Sequence, residues 1–381
     1  MTSLVDLSPT LRLMLLGAVV ALGPLAWLWL RSRGADPVRR LALLTGLTLF
    51  LTFDLVVFGA FTRLTDSGLG CPDWPGCYGS ASPWGAVEAI SAEEARLPTG
   101  PVTHTKAWIE MIHRYLAMGV GVLILTLAAA TWLLRRRTDL PVNPWWPTLT
   151  LAWVCVQGAF GALTVTMKLF PAIVTLHLLG GLLLLALLVR QAVAYRQLEP
   201  GQGPSPLAAH ARALLLATFA AVWLQVALGG WVSTNYAVLA CTDFPSCQGS
   251  WWPPMDLRQG FELWRPLGLT AAGEHVSFAA LTGIHYIHRL AAYAVLALLA
   301  ISAWALRAAL PVQARGIALL AAWQFASGLS NVVLGWPIVA ALAHSAGAAG
   351  LVAVLTWALC ASRAEAPAHR QAHGQPQGAR P

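Results

Sequence analysis

Trp108-Ile109-Glu110-Met111-Ile112-His113-Arg114-Tyr115 opens a long apolar run. Glu110 and His113 stand three residues apart, so on a helix they share a face. The stretch recurs, altered, as His285-Tyr286-Ile287-His288-Arg289. Two apolar runs after each copy comes one more histidine within an apolar run, His177 and then His344. We read these four histidines as two pairs of iron ligands in a duplicated membrane bundle.

The composition supports a membrane setting. The chain has 381 residues, of which 57% are hydrophobic and 10% charged, with 18 tryptophans. A soluble domain typically carries about a quarter charged residues, and apolar runs of about 20 residues are long enough to cross a bilayer core. The formal charge of +8 comes from arginines in short loops beside apolar runs. That is a topology signal and excludes a nucleic-acid role.

Nine spans follow, at about Leu11–Leu30, Leu41–Phe61, Trp108–Leu134, Thr148–Met167, Ala172–Val193, Ala211–Val232, Leu281–Leu306, Ile317–Leu334 and Ile338–Leu359. Arg31–Arg40, Arg135–Arg137, Arg190 with Arg196, Arg307 with Arg315, and Arg363 fall on the cytoplasmic side. The loops around Thr62–Lys106 and Ser233–Thr282 then face outward, as expected of a multi-pass protein of the cell inner (plasma) membrane. The first run has its arginines after it, which suits an anchor helix better than a cleaved signal.

An internal repeat sets the architecture. Gly59–Ser80 resembles Gly229–Ser250, and both cysteines shift by 170, from 71 to 241 and from 77 to 247. His113 shifts by 175 to His288, while His177 and Gln157 shift by 167 to His344 and Gln324. Each repeat holds four spans, so both copies enter the membrane the same way round. The expected fold is all-α: two pseudo-twofold-related four-helix transmembrane bundles plus an extra N-terminal helix. The segments are 1–40 (anchor helix and basic loop), 41–200 (first unit), 201–361 (second unit) and 362–381 (a disordered cytoplasmic tail).

All four histidines fall about 8–10 Å inside the outer boundary at about 1.5 Å per residue. Two imidazoles facing across a bundle core hold a haem iron from both sides. One isolated histidine would as readily be an interhelical hydrogen-bonding residue, but two pairs at matched depth favour ligation. Zinc fits less well, because each unit lacks the further protein ligands it takes. Arg114 and Arg289 directly follow the outer histidines; they suit haem propionates or snorkel to the headgroups. Glu110 is an intramembrane carboxylate, a functional-site hypothesis by default, and the second unit has His285 in its place. Asp54 and Arg63 are weaker candidates, and nine residues separate them.

Cys71 and Cys77 enclose Pro72-Asp73-Trp74-Pro75-Gly76, and Cys241 and Cys247 enclose Thr242-Asp243-Phe244-Pro245-Ser246. Local disulfides as loop staples, a redox-active pair and a weaker zinc reading all remain open. Cys155 and Cys360 lie within apolar runs and are expected to be small buried hydrophobes.

These motifs together resemble the haem A synthase family. The resemblance covers about Leu41–Leu359. It is carried by Arg63-Leu64-Thr65-Asp66-Ser67-Gly68, by Cys71 to Cys77, by the Glu110/His113 pair, and by His177, His288 and His344. It implies oxidation of the C8 methyl of haem O to a formyl group, giving haem A for cytochrome c oxidase. It further implies that His113 and His177 flank the substrate haem, that His288 and His344 hold a haem b cofactor, and that Glu110 is the catalytic carboxylate. The pairings Cys71–Cys77 and Cys241–Cys247 are expected as disulfides. Haem O, a membrane electron donor and haem O synthase are the expected partners. The family has eight spans, so the helix Leu11–Leu30 departs from it. The rival from another class is a di-haem membrane electron carrier that oxidises quinol, which would need no Glu110.

Overall fold

A computed structural model describes residues 8–138 and 142–364. Its helices, in chain order, are α1 (Ser8–Arg31), α2 (Pro37–Leu64), α3 (Val87–Arg96), α4 (His104–Arg137), α5 (Trp145–Thr166), α6 (Pro171–Arg196), α7 (Ala209–Thr234), α8 (Leu257–Gly260), α9 (Phe278–Leu306), α10 (Pro311–Val333) and α11 (Ile338–Cys360). Among the described residues nine of these are long and apolar enough to cross a membrane; α3 and α8 lie in the two long loops. The protein is an all-α, multi-pass membrane protein.

The spans match the hydropathy reading in number and order, but several helices start earlier. α4 begins at His104 rather than Trp108, α9 at Phe278 rather than Leu281, and α10 at Pro311 rather than Ile317. Hydropathy sees only the part of a helix that suits lipid; capping decides where the helix starts. The Thr103 hydroxyl accepts from the Lys106 N–H at 3.2 Å, and that of Ser277 accepts from the Ala280 N–H at 3.2 Å. Pro311 occupies a first-turn position, where proline is preorganised.

The repeat is visible in the packing. Unit 1 is α2, α4, α5 and α6; unit 2 is α7, α9, α10 and α11. Within each, the first helix packs on the second and the third on the fourth. Across the seam, α2 packs on α11 and, symmetrically, α7 on α6, while α6 and α11 meet each other. At the cysteine-loop end the seam joins equivalent positions to each other. Arg63 Nη2 donates to the Ser233 carbonyl at 2.5 Å, and the Tyr236 hydroxyl donates to Asp66 at 2.5 Å. Both pairs differ by 170 in number, so the pseudo-twofold axis passes between them.

The main apolar clusters occupy the end away from the cysteine loops. One joins Leu182, Leu185, Leu215, Leu299, Leu306, Val352 and Leu355 across both units. A second joins Ala21 and Leu28 of α1 to Leu41, Leu44, Leu123, Leu127 and Leu188. The four histidines lie nearer the cysteine loops than these clusters, on the same helices. Smaller clusters seat each loop: Cys71, Cys77, Ile90, Ala107 and Met111 in unit 1, and Cys241, Cys247 and Tyr286 in unit 2.

The additional helix α1 packs along α4. Gly17 permits the approach, since a Cβ there would stand 2.5 Å from the Met118 Cβ. Replacing Gly17 with Leu is therefore expected to force α1 away at a cost of about 1–3 kcal/mol. Limited proteolysis between α1 and α2 checks this; cleavage no faster than in the parent would contradict the packing.

Two expectations change. The tail was expected to be disordered from residue 362, yet Ser362–Ala364 pair in parallel with Ser205–Leu207. Arg212 fixes them by donating to the Ser362 carbonyl at 2.9 Å. The rest of that tail, residues 365–381, lies outside the described residues. Cys155 is exposed on α5 and Cys360 half-buried, so neither is the buried hydrophobe expected: α5 turns a broad face outward.

Candidate functional site

Each of the four histidines rests against a glycine of a neighbouring helix. His113 on α4 lies beside Gly59 on α2, where a Cβ would stand 3.0 Å from the imidazole Nε2. His177 on α6 lies beside Gly161 on α5, His288 on α9 beside Gly229 on α7, and His344 on α11 beside Gly328 on α10; there a Cβ would stand 3.5, 2.9 and 3.2 Å from the ring Cε1. The glycines shift by 170 and 167, as the flanking motifs do. A missing side chain thus lets each ring lie close to the backbone opposite, at the same place in both units. α4 and α6 both pack against α2 and α5, and α9 and α11 both against α7 and α10, so the structure places each pair within one four-helix unit.

The surroundings of the two pairs differ. In unit 2, the Ser327 hydroxyl donates to the Trp323 carbonyl at 2.7 Å and accepts from His344 Nδ1 at 3.0 Å. That bond places the ring proton on Nδ1 and leaves the Nε2 lone pair for a metal. The Gln225 amide donates to the His288 carbonyl at 3.0 Å and lies 3.0 Å from ring Nδ1. Unit 1 has Leu55 and Phe160 at the equivalent positions. There His177 Nδ1 is buried without a hydrogen-bond partner, and His113 stacks on Phe58 with ring centroids 6.2 Å apart.

The donor set suits haem. Each pair offers two imidazoles, and a haem brings its own four equatorial nitrogens. Among the described residues no group of three or more His, Cys, Asp or Glu side chains is placed to hold a bare ion.

Glu110 is 4% exposed. It accepts from the Cys71 N–H at 2.8 Å and pairs with Arg114. It thus joins α4 to the first cysteine loop. In unit 2, His285 makes the corresponding link, with Nδ1–H donating to the Ala237 carbonyl at 3.0 Å.

Arg114 and Arg289, expected at propionates or headgroups, hold backbone carbonyls of their own cysteine loops. Arg114 Nη1 donates to the carbonyls of Gly76 at 2.6 Å and Pro75 at 3.1 Å. Arg289 donates to those of Ser246 at 2.6 Å, Asp243 at 2.8 Å and Cys241 at 3.1 Å. Each guanidinium clamps its cysteine loop, because the loop folds back over the start of the helix that carries the arginine. Arg63 does not pair with Asp54; its guanidinium lies 4.0 Å from the centre of the Tyr236 ring.

Both disulfides form, Cys71–Cys77 and Cys241–Cys247, each with Cα atoms 4.9 Å apart. Inside each loop an aspartate organises the turn, a role the sequence reading missed although the residue recurs at one place in both copies. Asp73 accepts from the N–H groups of Tyr78 and Gly79 at 2.6 and 2.7 Å. Asp243 accepts from those of Gln248 and Gly249 at 2.7 and 2.9 Å. The bond from Gly249, then those from the Ser246 hydroxyl and Gln248, hold the Asp243 carboxyl down at about 2, against its ordinary 3.8. A folded-state value below the unfolded one stabilises the loop above about pH 4, and the contribution disappears as pH falls toward 2. Protection of the Gly249 amide, the intrinsic exchange rate at each pH relative to that observed, is expected to fall across that window; unchanged protection would contradict the role given to Asp243.

The spans and paired histidines define a class: a multi-pass α-helical membrane protein with a duplicated two-histidine site suited to haem. Comparison with known proteins gives the family. The profile described as cytochrome oxidase assembly protein matches residues 42–356, and the chain belongs to that family. The heme A synthase of Shewanella oneidensis is 36% identical over 83% of this chain and 94% of its own length. That of Halalkalibacterium halodurans is 25% identical over 79% and 89%, and that of Rhizorhabdus wittichii 27% over 81% and 90%.

Proposed function

We propose that this chain is a heme A synthase, an oxidoreductase that converts the C8 methyl of haem O to the formyl of haem A for cytochrome oxidase. Residues 41–200 form the substrate unit, with haem O between His113 and His177. Residues 201–361 form the cofactor unit, with a haem b between His288 and His344. The observation that carries this split is the difference in histidine support. In unit 2 Gln225 ties down the His288 backbone carbonyl and Ser327 holds the His344 ring, as befits a group that stays; the pair in unit 1 lacks such bonds, as befits one that must leave.

A haem held by His288 and His344 would supply electron transfer. The protein's own residues do the rest. His113 and His177 orient the substrate macrocycle, Phe58 and Gly59 setting the attitude of the His113 ring. Glu110, buried and adjacent to that face of α4, holds a proton or a negative charge near the reacting edge. His285 replaces it in unit 2, where no such chemistry is needed. A membrane electron donor and haem O synthase complete the expected partners. The arginine-rich ends lie in the cytoplasm and the cysteine loops outside the plasma membrane, where disulfides persist.

The test is turnover. Membranes that make haem O but no haem A are given this chain, and their haems are separated and weighed. Formyl-bearing haem A is the expected result; haem O alone, with the protein present and folded, would overturn the assignment.

A further inference from the structure

We propose that Arg63, Lys106 and Lys168 form a basic mouth at the cysteine-loop end of unit 1, and that it receives the carboxylates of the ligand that exchanges there. This rests on the two-unit reading above, in which that ligand is a haem bearing two propionates.

Placement is the first argument. Arg63 comes four residues after Gly59, against which the His113 ring rests. It therefore lies about 6 Å further toward the loops on nearly the same face of α2. Lys106 precedes His113 by seven residues, two turns or about 10 Å toward the loops on one face of α4. Lys168 follows Gly161 by seven residues, just past the end of α5, and its Nζ reaches over the loop to the Pro72 carbonyl at 3.4 Å. All three residues thus stand at the loop end of helices that carry or face the imidazole pair, each also donating to a carbonyl: Arg63 to Ser233, Lys106 to Gly100 at 3.1 Å and Lys168 to Pro72.

The repeat supplies a control. The equivalent residues of unit 2 are Ser233, Leu281 and Gly335, all uncharged. The backbone is not what differs: Lys168 and Leu169 have φ of 52° and 57°, and Gly335 and Trp336 have 68° and 64°. Unit 1 places a lysine in a left-handed position where unit 2 uses the residue best suited to it. The charge is kept against a local backbone preference.

The mouth is undercompensated. Asp66 is the carboxylate among the three cations, 3.4 Å from Lys106 Nζ and shared with the Tyr236 hydroxyl. Arg63 meets a carbonyl and an aromatic face. Glu110 and Arg114 neutralise each other, and Arg289 repeats Arg114, so that arginine does not distinguish the units. A dicarboxylate is the ligand chemistry that balances this excess.

The experiment titrates the full-length protein, carrying its resident haem, with ferric haem and with its dimethyl ester, read by absorption. The combined variant Arg63→Gln, Lys106→Gln, Lys168→Gln is expected to bind the free acid about tenfold more weakly or worse, with ester affinity unchanged. Resident haem should be retained. Equal losses for acid and ester, or no loss for either, would overturn the mouth. Arg63 also ties the units together, so Lys168→Gln, on an exposed side chain, decides the matter if the combined variant misfolds. It should weaken acid binding about threefold and leave the ester alone. Should the parent take up no exchangeable haem at all, the two-unit reading fails, and the mouth with it.

Discussion

Replacing Glu110 with Ala is expected to destabilise the first cysteine loop and abolish haem A formation together. The substitution leaves Arg114, whose side chain is 12% exposed, without its counter-ion. Removing one partner of a buried pair typically costs about 3–5 kcal/mol. It also leaves the Cys71 N–H without its acceptor, a further loss of about 1–3 kcal/mol. Lost activity in this variant alone therefore does not separate chemistry from scaffolding. Glu110→Gln makes the separation: the amide oxygen can still accept from Cys71 N–H, but the charge is gone. We expect the Gln variant to hold its disulfide loop more firmly than the Ala variant while turnover stays lost. Thermal unfolding and reductant sensitivity of Cys71–Cys77 measure the first part, product analysis the second. Full turnover in Glu110→Gln would remove Glu110 from the chemistry and leave it as a loop anchor.

The second large effect is a division of labour among the histidines. His288→Ala and His344→Ala are expected to strip the purified protein of its resident haem, and turnover with it. His113→Ala and His177→Ala should keep that haem and still fail to make product. Ser327→Ala is the graded version. It removes the acceptor that fixes the His344 ring proton on Nδ1, and loss of such a bond typically weakens metal affinity about 10–100-fold. Haem absorbance per chain after gel filtration reads all five variants. Resident haem lost with His113 and kept without His288 would reverse the assignment of the units.

Much of this was legible in the sequence, and the boundary has a physical origin. Lipid imposes long apolar stretches, so the spans declared themselves. Duplication made four histidines legible as two pairs, because nearly equal offsets of 170 for both cysteines, 167 for Gln157 and His177, and 175 for His113 are hard to produce otherwise. Where helices begin was less visible, since Thr103, Ser277 and Pro311 decide it from outside the apolar stretch. That Arg114 and Arg289 clamp their loops was not visible, because the fold of a loop over its own helix is not encoded in spacing. The glycines under the imidazoles were missed, although their offsets of 170 and 167 were there to be found. Asp73 and Asp243 were overlooked for a related reason: a polar loop residue looks solvated until the turn it closes is known.

Haem extraction from the purified protein, with separation and mass measurement after expression with and without a haem O supply, tests the central claim most directly. The account predicts haem b under both conditions, with haem O and haem A appearing only when haem O is supplied. Two equivalents of haem b per chain, indifferent to that supply, would contradict it and describe an electron carrier instead.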